Sequence, residues 1–129
     1  NKIKTYLKSM GFVLRTKTTL IKDFPETIAM VQLQTSYYDP VDYYLNVACI
    51  VKSLNNNSSP LFDRDRMNFY RIEDKGSLEE CFKDLDYFLE GFSSIEKLKI
   101  ITLNNKYLYT FSTPQLLKFL GIQTTKDTV

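Results

Sequence analysis

The sequence predicts an α+β domain: an antiparallel β-sheet of about four to five strands, with an N-terminal helix and C-terminal helices packed on one face. Three observations predict it. Two tracts of alternating polarity, Ile28 to Tyr38 and Tyr43 to Lys52, flank a break at Asp39-Pro40, which is the pattern of an antiparallel hairpin. Ile3, Tyr6, Leu7 and Met10 recur at helical spacing ahead of it. Beyond Gly76 the periodicity turns helical and is punctuated by capping residues.

Taken in order, the chain opens with a short amphipathic helix that Gly11 stops. Phe12 to Lys17 and Thr19 to Phe24 are rich in β-branched and aromatic residues and read as one or two strands ending at Pro25. In the hairpin, side chains alternate between faces, so Val31, Leu33, Leu45, Val47 and Val51 share an inward face while Gln32, Gln34, Ser36, Tyr38, Tyr44 and Asn46 share the opposite one. Opposed residues must then be both odd or both even, because a one-residue slip would turn the apolar row to solvent. With Tyr37 and Tyr43 on the core side, Tyr38 and Tyr44 form the exposed pair.

Leu54 to Pro60 has the composition of a mobile loop tip, and strand-like sequence resumes at Met67 to Ile72. Its two Asn-x-Ser matches, at Asn56 and Asn57, would matter only in a secreted protein. Ser77 and Glu80 form a capping box ahead of the stripe Leu78, Phe82, Leu85, Leu89 and Phe92. A second box, Ser93 with Glu96, opens a helix through Ile95, Leu98 and Ile101, although Ile100 to Leu103 also reads as a strand. The last helix has Thr113 as N-cap, Pro114 at its first position, Leu116, Leu117 and Leu120 as its buried side and Gly121 as its stop. Residues 1–129 read as a single domain with a frayed tail over 123–129.

Composition narrows the function classes. A chain of 129 residues with 43% apolar content suits one continuous core. Its net charge of +2 does not by itself indicate a nucleic-acid or membrane partner. The charge is uneven, however. Residues 1–22 carry Lys2, Lys4, Lys8, Arg15, Lys17 and Lys22 with no acid, whereas the stretch 63–90 is acidic. Cys49 and Cys81 are isolated and read as small core residues, with a reducing, cytoplasmic setting as the default. No apolar run approaches the roughly 18 residues that span a bilayer, and no signal-peptide segment follows the basic start. The start at Asn1 rather than Met suggests that an upstream segment has been lost.

The chain contains no histidine, which removes the commonest general base and the usual catalytic triads. Its four glycines, Gly11, Gly76, Gly91 and Gly121, fall at element ends and build no phosphate loop. No cofactor or resident metal is implied. One constellation carries an enzymatic alternative. Asp63 and Asp65 lie upstream of Glu73-Asp74-Lys75, an acid followed by E-x-K, in which two carboxylates would hold Mg²⁺ and Lys75 would position water for a nuclease. The polar face of the hairpin suits recognition better. Gln32, Gln34, Tyr44 and Asn46 donate and accept hydrogen bonds without charge, and Tyr38, Asp39 and Asp42 at the turn add tyrosine and acid.

The chain resembles a family of small bacterial proteins catalogued as a domain of unknown function (the 4304-type family). The resemblance rests on Leu7 with Gly11-Phe12, on Val31-Gln32-Leu33-Gln34-Thr35-Ser36, and on Tyr43-Tyr44-Leu45-Asn46-Val47, and would extend from Ile3 to Gly121; the chain departs from it at Ala48, where the family expects glycine. It implies a fold and no established activity. By analogy with small bacterial proteins that act by binding, the expected function is a non-catalytic, cytoplasmic protein-binding domain of immunity or antitoxin type. It would block a cognate toxin through Gln32, Gln34, Tyr38, Asp39, Asp42, Tyr44 and Asn46, with the acidic stretch meeting a basic partner surface. A homodimeric structural module pairing through the same face is the remaining expectation.

Overall fold

Helix α1 (Lys2–Ser9) forms where Ile3 and Leu7 stand one turn apart, and both are buried. It ends before Gly11, whose φ of 94° lies in the left-handed region that side chains disfavour. The computed structural model describes residues 2–35, 43–73 and 77–123. After α1 come β1 (Val13–Leu14), β2 (Thr19–Asp23), β3 (Thr27–Thr35) and β4 (Tyr43–Val51). Helix α2 (Phe62–Asp65) and β5 (Tyr70–Ile72) follow, then α3 (Leu78–Gly91), α4 (Ile95–Asn104), α5 (Lys106–Thr110) and α6 (Pro114–Phe119). The five strands form an antiparallel meander in the order β1-β2-β3-β4-β5, so the α+β architecture is as the sequence predicts.

The pairing of β3 with β4 runs from Thr27 opposite Val51 to Thr35 opposite Tyr43, and it joins odd with odd and even with even throughout. Alternation therefore sends Val31, Leu33, Leu45, Val47 and Val51 to one face, where each is at most 4% exposed. Neighbouring strands add Leu20, opposite Val31, and Ile72, opposite Leu45. The C-terminal helices cover this face. Thr27 Oγ1 donates to the carbonyl of Phe92 at 2.6 Å, and Tyr70 stacks on Phe88 of α3 with ring centroids 4.2 Å apart.

The second face is divided, which the alternation alone did not reveal. At one end Met30, Ala48 and Ile50 are fully buried beside Ile21, the partner of Met30. Their cover is the connection that the sequence presented as a free loop tip. Arg15 ties it down by donating to the carbonyls of Pro60 at 3.1 Å and Ser59 at 3.2 Å, and Asn55 to Ser58 lie beside Ile21 and Ile28. Pro60 and Phe62 are buried, and α2, a helix with no sequence signal of its own, touches β3.

Capping chemistry sets most helix ends. Ser77 Oγ accepts from the Glu80 N–H and Thr113 Oγ1 from the Leu116 N–H, while Gly121 has a φ of 70°. At α4 the cap is Ser94, which accepts from the Lys97 N–H, rather than Ser93. The Ser93 hydroxyl is already committed to the Glu90 carbonyl at the end of α3. Ile100 to Leu103 is helix and not strand. Asn105 opens the unforeseen α5 by accepting from the Leu108 N–H. On α3 the buried stripe is Cys81, Leu85, Phe88 and Leu89. Leu78, at the head of the expected stripe, is 39% exposed.

Both cysteines are buried and neither forms a disulfide. Burial pushes the Cys49 thiol up to about 12, outweighing the hydrogen bond from Asn68. Among the described residues no helix is long and apolar enough to cross a membrane.

Helices α3 and α4 meet at Gly91. A Cβ there would stand 2.5 Å from Ile101 Cδ1 and 3.1 Å from its Cβ and Cγ2, and the β-branched isoleucine has little freedom to yield. Gly91→Ala is expected to lower stability by about 1–3 kcal/mol in urea denaturation. The loss should shrink when Ile101→Ala is added, and a neutral Gly91→Ala would contradict this packing.

Candidate functional site

The open end of the second face holds the polar residues of the hairpin, because the register that buries Met30 with Ala48 sets Gln32 opposite Asn46 and Gln34 opposite Tyr44. Asn46 is only 1% exposed and forms the floor of a connected array. Its Nδ2 donates to Gln32 Oε1 and to Gln34 Oε1, both at 3.0 Å. Its Oδ1 accepts from Arg71 Nε at 3.0 Å, and Arg71 Nη2 also donates to Gln34 Oε1 at 3.1 Å. Arg71 comes from β5, where it pairs with Asn46 across the strands. Its guanidinium stands 4.8 Å from the Tyr44 ring centroid and 5.9 Å from that of Phe69.

This geometry has a chemical direction. The glutamine oxygens are turned inward as acceptors, so their amide N–H groups, and the remaining donors of Arg71, are the groups left for a partner. Among the described residues no carboxylate pairs with Arg71. Thr18, Gln32, Leu33, Gln34 and Asp63 border a recess of about 300 Å³ beside the array.

The structure thus brings together Gln32, Gln34, Tyr44 and Asn46 of the expected site. Asn46 lies beneath the layer and acts as its anchor. Tyr38, Asp39 and Asp42 lie outside the described residues, as do Ser36, Tyr37 and Lys75. Of the nuclease residues, Glu73 follows the end of β5 and is exposed, and Asp63 lies at the recess. Asp65 is turned to a different task. Its Oδ1 accepts from Asn55 Nδ2 at 3.1 Å and its Oδ2 from the Leu61 N–H at 2.7 Å, which tie the connection to α2, and Oδ2 also accepts from Arg64 within the helix. Among the described residues no three His, Cys, Asp or Glu side chains group so as to hold a metal ion.

Arg71 is the residue that sequence reasoning missed. The signal was present in Tyr70-Arg71-Ile72, where burial of Ile72 sends Arg71 to the opposite face, but three residues give too short an alternation to fix a strand's parity.

The family described as "Domain of unknown function (DUF4304)" matches residues 3–65, which bears out the resemblance read from the sequence. The match covers α1 through α2, including β3 and β4, and stops short of β5 and the helices that follow. No curated protein and no solved structure matches the chain.

Asp65 offers a test of its structural task. The hydrogen bonds from Arg64, with those from Leu61 and Asn55, hold its carboxyl down at about 2, against the opposing effect of burial. A folded value below the ordinary one means that the contribution is complete above about pH 4 and disappears as pH falls toward about 2. Its size is on the order of 1–2 kcal/mol after allowance for solvent screening of the exposed Arg64. Thermal melts across that window should show a shallower acid limb for Asp65→Asn than for the parent. An unchanged limb would remove Asp65 from the account of this connection.

Proposed function

We propose that the chain is a non-catalytic protein-binding domain of immunity or antitoxin type, acting in the bacterial cytoplasm, that neutralises a partner toxin by steric occlusion. The observation that carries the reading is the array of Gln32, Gln34, Asn46 and Arg71 fixed on three adjacent strands. Side chains already held by mutual hydrogen bonds lose little rotamer freedom when a partner arrives. Tyrosine and arginine are also the residue types that most often dominate interface energetics, and Tyr44 and Arg71 stand in contact here.

The array is rich in outward donors, so it fits a partner surface presenting backbone carbonyls or carboxylates. A carboxylate against Arg71 would find a planar fork already oriented by Asn46 and Gln34. Steric occlusion asks nothing further of this surface, since a rigid sheet face laid over a toxin's active site excludes substrate by volume alone.

Co-purification with the protein encoded by the neighbouring gene is expected to yield a stoichiometric complex. Gln34→Ala and Arg71→Ala should each weaken it by about tenfold or more, the scale of a lost charge-assisted contact. Failure to recover a partner from the native cell, together with an unchanged phenotype for the Tyr44→Ala, Gln34→Ala pair, would defeat the proposal. A solution mass showing a dimer that Arg71→Ala dissociates would favour the homodimeric module instead.

A further inference from the structure

A second concavity lies where α1, β2, α3 and α4 border a recess of about 1140 Å³. Its walls are apolar. Phe12, Phe24, Leu89 and Ile101 line it, and Ile100 at its mouth is 55% exposed. The close approach of α3 and α4 at Gly91 helps shape its floor, since a side chain there would collide with Ile101.

The charged groups around this recess are not balanced. Glu90 is paired with Lys97, and Asp86 accepts a hydrogen bond from the Tyr6 hydroxyl. Lys22 has only neutral partners among the described residues: it donates to the Met10 carbonyl at 2.7 Å and stands 5.0 Å from the Phe24 ring centroid. Lys83 has no hydrogen-bond or ion-pair partner among the described residues. Two ammonium groups with spare donors thus face an apolar hollow, against the single unneutralised carboxylate of Asp86.

We infer that this recess binds a small amphiphile with an apolar body and one anionic head group, of the single-chain carboxylate class. The apolar body removes the hydrocarbon walls from water, at about 25 cal/mol per Å². The head group accepts hydrogen bonds from Lys83 and Lys22. The volume stands a little above the roughly 300–1,000 Å³ usual for small-ligand sites. A second copy of this chain is a poor occupant, because two concave recesses facing each other across a twofold axis leave both unfilled.

The test is a titration of the full chain with dodecanoate below its micelle concentration, followed through isoleucine methyl resonances, with dodecanol and dodecylamine as probes of the head group. Saturable binding with shifts at Ile100 and Ile101 is expected, with dodecanol and dodecylamine each bound about tenfold more weakly, the scale of one charge-assisted contact. Lys83→Met should bring dodecanoate down by a similar factor, and Ile100→Glu, a change at an exposed position, should abolish saturation. Absence of saturable binding would overturn the inference. So would equal affinity for dodecylamine, an unaltered affinity in Ile100→Glu, or shifts at Ile100 and Ile101 that appear only as protein concentration rises or a protein partner is added.

Discussion

The register of β3 against β4 is the constraint on which the rest of the molecule depends. Nine residue pairs hold it, and each joins two residues of the same parity. With that register, one face is apolar from Ala29 to Leu33 and takes the helices. A slip of one residue would set Gln32 opposite Val47, so that one strand would turn its amides under the helices and leave its apolar row in water. Burial of the amides without their present partners would cost several kcal/mol, so the alternative is closed energetically as well as geometrically.

The same register creates the division of the second face. Met30, Ala48 and Ile50 need a cover, and the connection from Leu54 to α2 supplies it, held by Arg15 and by the bonds that Asp65 makes to Asn55 and Leu61. Beyond the cover the strands change to amides. There Asn46 satisfies its donor and acceptor atoms within the sheet, so a nearly buried polar residue costs little and fixes the orientation of Gln32, Gln34 and Arg71. Rigidity at this end is therefore a by-product of satisfying one buried amide.

Features legible in the sequence were those written locally. The hairpin alternation, the Ser77 and Thr113 caps and the glycine stops at Gly11 and Gly121 each need only a few consecutive residues. Two competing hydroxyls at Ser93 and Ser94 defeated the same logic by one position, because the choice rests on the Glu90 carbonyl of the preceding helix. The cover over Met30 was illegible because its polar, Asn-rich sequence is that of any loop, and the bonds that dock it come from Arg15, more than forty residues away. Of the candidate site, the amides and Tyr44 were visible through their period of two, whereas Arg71 was not. The recess among α1, β2, α3 and α4 has no local signature at all, since its walls come from four separated elements.

The most direct test of the central claim is the pattern of cross-strand Hα–Hα nuclear Overhauser contacts between β3 and β4 in solution. The account predicts contacts at alternate members of the series that includes Met30 with Ala48, Val31 with Val47 and Gln32 with Asn46. Contacts that join odd with even residues, such as Val31 with Ala48 or Gln32 with Val47, would contradict it and with it both faces described here.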